Sequence, residues 1–137
     1  MKATSIIRSA AAMILLCLSF YSLSHDEAKG SSVFEMRTYT TFDGKLTELD
    51  TRFRNHTIAL FEKHGMQNVG YWIPTDKPNT LIYILAHTSK AAASKSWKAF
   101  INDPEWQSAY KASIKDGNLV SNIDSVFMNA TDYSAIH

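Results

Sequence analysis

The sequence predicts an α+β domain: a four-stranded antiparallel sheet with helices packed on one face. Three observations predict it. Residues 33–41, 68–73, 81–87 and 119–128 show the period-2 alternation or the β-branched and aromatic enrichment of strands. Apolar residues recur at helical spacing between the first and second of these runs and again between the third and fourth. Turn residues punctuate the chain at Asp43-Gly44, at 74–79 and at Asp116-Gly117-Asn118. The order is β-α-β-β-α-α-β. Merging the two adjacent helices gives β-α-β-β-α-β, the ferredoxin-like or split βαβ arrangement.

The chain begins with an address. Lys2 and Arg8 are the only charges ahead of an uncharged stretch from 9 to 24, whose apolar centre runs from 10 to 18. About 20 apolar residues are needed to span a membrane, so this run is short. A basic start, a short apolar centre and small residues at Ser22 and Ser24 predict a signal peptide over 1–24, with export to a periplasm or the exterior. An uncleaved anchor is the alternative. Leu15 and Leu16 ahead of Cys17 do not make a lipobox. Cleavage removes two basic residues and no acidic one, so the formal charge passes from +1 to −1. It also removes the single cysteine, and with it thiol catalysis. Residues 25–32 are small and polar and read as a flexible leader. The domain proper is 33–129, and 130–137 is a tail.

In the first strand, VFEMRTYTT, Phe34 and Met36 alternate with Glu35, Arg37 and Tyr39. Asp43 is placed to cap the helix that follows, over 45–63, where Leu46, Leu49, Phe53, Leu60 and Phe61 share a side. His56 falls on that same side. Gly65 suits the left-handed residue that ends a helix. Strands over 68–73 and 81–87 enclose a loop with two prolines. A second helix covers 90–102. Asp103-Pro104 then supplies an N-cap and a first-turn proline for a third helix bearing Trp106, Tyr110 and Ile114.

Helices cover one sheet face, and nothing in a single copy covers the other. Both parities of the strands carry large side chains, and an open face of that kind is an unusually large apolar patch. A homodimer, packed face to face around a shared interior, is the expected solution. We assign Glu35, Arg37 and Tyr39 to that shared cavity.

FEMRTYT, FRNHTIALFEKHGM, VGYW, IYILAH and DPEWQ, in this order from about Phe34 to Met128, resemble a NIPSNAP domain. The resemblance implies a dimeric α/β barrel, in which two ferredoxin-like sheets enclose a cavity. Related barrels include cofactor-independent monooxygenases, muconolactone isomerases and haem enzymes, but a shared fold does not fix function. The family supplies no agreed reaction or catalytic set. With its export signal and single domain, this chain resembles a bacterial member.

The sequence lacks G-x-G-x-x-G, a P-loop, H-E-x-x-H, an EF-hand loop and G-x-S-x-G. The near-neutral charge gives no footprint for nucleic acid, and no membrane contact is expected after cleavage. No cofactor is expected. His56 and His64 lie about 80° apart around a helix, so no metal site is expected either. The ligand-binding candidates are Arg37, Tyr39, His56, Trp72 and His87. Arg37 would hold an anionic or carbonyl oxygen and Tyr39 would donate to it; the plain alternative is a Glu35–Arg37 salt-bridge network across the dimer. His56 is either a proton acceptor or a hydrogen-bonded structural histidine. His87 either reaches a cavity mouth or is a solvated strand end. Trp72 differs in parity from Val69 and Tyr71, and one of these sets faces the cavity. Trp97 and Trp106 read as core. Two classes of function follow: a small apolar or aromatic ligand bound in the dimer cavity, with monooxygenase- or isomerase-like chemistry as its enzymatic version, or a non-catalytic protein-interaction module.

Overall fold

A computed structural model describes residues 32–136. The signal-peptide assignment and the leader up to residue 31 lie outside the described residues.

Strand β1 (Val33–Thr41) is followed by one helical rod in three parts: α1 (Leu46–Arg52), a π-helical turn (Phe53–Thr57) and α2 (Ile58–Lys63). Strands β2 (Gln67–Trp72) and β3 (Thr80–His87) form a hairpin. Helices α3 (Lys90–Ile101) and α4 (Pro104–Ser113) lead into β4 (Val120–Asn129). The strand order is β2-β3-β1-β4, with all pairs antiparallel, which is the predicted ferredoxin-like α+β topology.

Local chemistry sets the boundaries. Gly44 and Gly65 take the positive φ angles (74° and 75°) that turn the chain into and out of the helical rod. Ser89 Oγ accepts from the Ala92 amide at the start of α3. Asp103 accepts from the Glu105 amide with Pro104 behind it, as the sequence predicts for α4. The expected cap at Asp43 is absent. Lys45 occupies the N-cap position, and Asp43 instead accepts from Asn79 at 2.8 Å, tying the first turn to the β2–β3 loop.

The core lies between the helices and one sheet face. Leu49, Phe53, Leu60 and Phe61 from the rod meet Tyr39, Leu81, Tyr83 and Leu85 from the sheet, and Phe100 and Leu119 complete it. Each such apolar side chain stabilises the fold by about 1.5–3 kcal/mol. Tyr83 is fully buried, with the rings of Tyr39, Phe53, Tyr71 and Phe61 between 5.2 and 5.9 Å away.

This packing corrects the expected face of β1. Glu35, Arg37 and Tyr39 pair with Leu85, Tyr83 and Leu81 and turn under the helices. Phe34 and Met36 belong to the other face, with Ile82, Ile84, Val126 and Met128. The bulkier side chains of β3 are the ones the helices bury. The charge of Glu35 is no obstacle, because donors from four residues meet it there.

A register shift in β2 between Asn68 and Gly70 corrects a second expectation. Val69 and Tyr71 do not share a face. Tyr71 packs on the core and donates to Asn68, whereas Val69 joins Phe34, Ile84 and Met128 on the open face. The tail returns to that face: Thr131, Ser134 and Ile136 close one side of a shallow depression of about 310 Å³.

Candidate functional site

Two polar features are buried among the aromatics. The first is centred on Glu35, which is 2% exposed. Its Oε1 accepts from Arg37 Nη1 at 3.0 Å and from Ser125 Oγ at 2.7 Å. Its Oε2 accepts from Trp97 Nε1 at 2.7 Å and lies 3.1 Å from His87 Nε2. Burial alone would raise the Glu35 pKa; the hydrogen bonds from His87, Trp97 and Ser125, with the charge of Arg37, outweigh it and hold the group at about 2. An ionised carboxylate only accepts, so His87 carries its proton on Nε2. The Arg37 guanidinium lies 4.2 Å from the Trp97 ring centroid, which joins β1 to α3. Strands β1, β3 and β4 and helix α3 thus converge on one carboxylate with every acceptor position filled.

The second feature is a cavity of about 440 Å³ between the helical rod, α4 and the first residues of β4. Its walls are largely aromatic: Tyr39 from β1, Phe53 and Phe61 from the rod, Phe100 from α3, and Trp106 and Tyr110 from α4. Asn118, Ser121 and Asn122 add polar groups, and half-exposed Ile123 stands at the solvent side.

Arg52, 5% exposed, also lines this cavity. Its Nη1 donates to Ser113 Oγ at 3.0 Å, and its guanidinium lies 5.3 Å from both the Trp106 and the Tyr110 ring centroids. Its Nε is buried without a hydrogen-bond partner, and it forms no ion pair among the described residues. Burial draws its pKa below the ordinary arginine value. On its far side lies a second, polar cleft of about 360 Å³, lined by Glu48, Asn55, His56 and Asp116 among others.

The sequence candidates scatter over these features. Arg37 and His87 meet at Glu35. The ion pair with Glu35 lies within one chain, and His87 is a buried strand-end histidine, not a solvated one. Tyr39 lines the aromatic cavity, on the helix side of the sheet. His56 is half-buried in the polar cleft, one residue off the apolar side that its spacing predicts; Thr57 takes the buried position. Trp72 lies half-exposed on the open face, its ring lying over Gly70, where a Cβ would come within 2.6 Å of it. Trp97 is structural, as its helical spacing predicts. Trp106 is both a core contact and a cavity wall. Sequence reasoning missed Arg52. Its signal was position: it sits three residues after Leu49 and directly before Phe53, on the side of the helix that packs inward.

Comparisons with known proteins place this geometry. A family model described as NIPSNAP matches residues 34–135. Among solved structures, a NIPSNAP family protein of unknown function from Agrobacterium tumefaciens superposes with a TM-score of 0.69 at 21% identity, covering 79% of this chain and 96% of its own. A NIPSNAP-like domain protein from Burkholderia xenovorans gives 0.67 at 16%, with coverage of 77% and 90%. A Chloroflexus aurantiacus protein described as an antibiotic biosynthesis monooxygenase shares the fold more distantly, at 0.52 and 14%, with coverage of 78% and 100%. No curated protein gives a significant match. The family match begins in β1 and runs through β4 into the tail, across the whole sheet and every helix described above, and the chain belongs to the NIPSNAP family.

Proposed function

We propose that the protein binds a small aromatic ligand in the cavity between the helices and the sheet of each protomer. The observation that carries this is the lining itself. The volume falls within the range of small-molecule pockets, and the walls are aromatic with few polar groups. Among the lining residues there is no aspartate, glutamate, histidine, lysine or cysteine. Groups suited to accept or deliver a proton near neutral pH are thus missing from the wall, which favours binding over the acid–base chemistry of an isomerase. The Chloroflexus protein's description as a monooxygenase supports an alternative at the level of fold only.

Calorimetric titration with 2-naphthol, an uncharged two-ring probe, tests this reading. The expected result is saturable binding at one site per protomer, weakened by Trp106→Ala and abolished by Ile123→Trp at the exposed mouth. Absence of binding, or binding indifferent to both substitutions, overturns it.

Two further elements belong to this proposal. A second copy covers the open sheet face, where Met36, Ile82, Ile84 and Val126 form an apolar surface; light scattering should give a dimer, and Ile84→Asp a monomer. The chain is exported, on the strength of the apolar run from 10 to 18; the mass of the mature protein from cells tests removal of 1–24.

A further inference from the structure

We infer that the ligand of this cavity is an aromatic anion, a planar ring system carrying a carboxylate that Arg52 grips at two points. The inference rests on the cavity reading above and deepens it.

The charges of the buried groups are otherwise settled. Glu35 meets Arg37, and Asp103 meets Lys63 and His64 at 2.8 Å. Arg52 is the exception among the described residues: a guanidinium 95% out of water with no carboxylate against it. A buried charge left without a counterion is costly, so a chain that keeps one has a use for it. Arg37 supplies the internal contrast. It is also largely buried, yet it is neutralised by its neighbour two residues away, so the role the sequence assigns to Arg37 falls to Arg52.

The geometry specifies the kind of anion. Ser113 occupies Nη1 and fixes the guanidinium plane. The buried Nε has no partner, and Nε with the adjacent Nη2 is the edge that accepts both oxygens of a carboxylate side by side. Trp106 and Tyr110 stand at equal distance from the guanidinium, so a ring attached to that carboxylate is received by aromatic surface. Arg52 is the single cation of the wall, and it matches one negative charge. A phosphate dianion would meet half the charge it needs.

The test compares 2-naphthoate with 2-naphthol at pH 7.5 on the full chain, in wild type, Arg52→Met and Arg52→Lys. Wild type should bind naphthoate roughly tenfold to hundredfold more tightly than naphthol, the range of a charge-assisted hydrogen-bonded contact. Arg52→Met should erase that preference and leave naphthol binding within a few-fold of wild type. Arg52→Lys, which keeps the charge and loses the planar fork, should retain only part of it. Equal affinities in wild type, or a preference that survives Arg52→Met, would overturn the inference while leaving the cavity reading intact. Failure of both probes to bind wild type would overturn the cavity reading and this inference with it.

Discussion

Trp97 donates its indole N–H to Glu35 across 2.7 Å, and the same ring lies beneath the guanidinium of Arg37. One side chain from α3 thereby holds both members of an ion pair on β1. Trp97→Phe keeps the ring and removes the donor, and should cost about 1–2 kcal/mol. Glu35→Gln places an amide among donors and strands Arg37, and should cost about 3 kcal/mol. The double variant should fall short of the sum by about 1 kcal/mol, because both changes remove the same contact. Urea unfolding of the four proteins measures it.

The Glu35 cluster also makes stability depend on acid. The carboxyl is held at about 2 in the fold against a reference of 4.5. A lowered folded value means stability fully present above about pH 4.5 and lost as the pH falls toward 2, amounting to about 3 kcal/mol. The urea midpoint of wild type should therefore decline through that window more steeply than that of Glu35→Gln. Parallel declines would show that other carboxylates dominate.

Asp103 caps α4 with one oxygen and receives Lys63 and His64 on the other. Lys63, His64 and the Glu105 amide together hold its carboxyl well below the usual carboxylate range. Asp103→Asn preserves the capping oxygen and loses the charge; Asp103→Ala loses both. Melting temperatures should rank wild type above Asn, and Asn above Ala. Equal values for Asn and Ala would mean that the cap contributes nothing.

Arg52 should trade stability for binding. Replacing a buried, uncompensated guanidinium by methionine removes a desolvation cost and loses one hydrogen bond to Ser113. Arg52→Met is expected to unfold at a higher urea concentration than wild type, by about 1 kcal/mol. A loss of 2 kcal/mol or more, about the cost of a large cavity in the core, would make Arg52 a structural residue.

The architecture was legible because alternation and helical spacing are local signals. They located every strand and helix within a residue or two, and Gly65, Ser89, Asp103 and Pro104 marked their ends. Which face of β1 turns inward was not legible. Glu35 and Arg37 look like a solvated face until Ser125, His87 and Trp97 are brought to them, and those partners lie 52 to 90 residues away in the chain. The bulge at Val69 likewise changes a face without any glycine or proline pattern that specifies where the shift falls. Arg52 was hidden for the opposite reason. A basic residue in the last turn of a helix is ordinary at the surface, and only the packing of α4 across it removes the water.

The π-helical turn at Phe53–Thr57 fits five residues where an α-turn needs fewer: the Ile58 amide reaches back to the Phe53 carbonyl, and Thr57 Oγ1 reaches the Arg52 carbonyl at 3.3 Å. Arg52, Phe53 and Thr57 face the same cavity because of that extra residue. The wall therefore has a reading frame. Substitutions along the rod change one side chain at a time. Loss of a single residue within the turn would rotate everything after it, carrying Leu60 and Phe61 off the core together, so among relatives this stretch should tolerate changes of letter far better than changes of length.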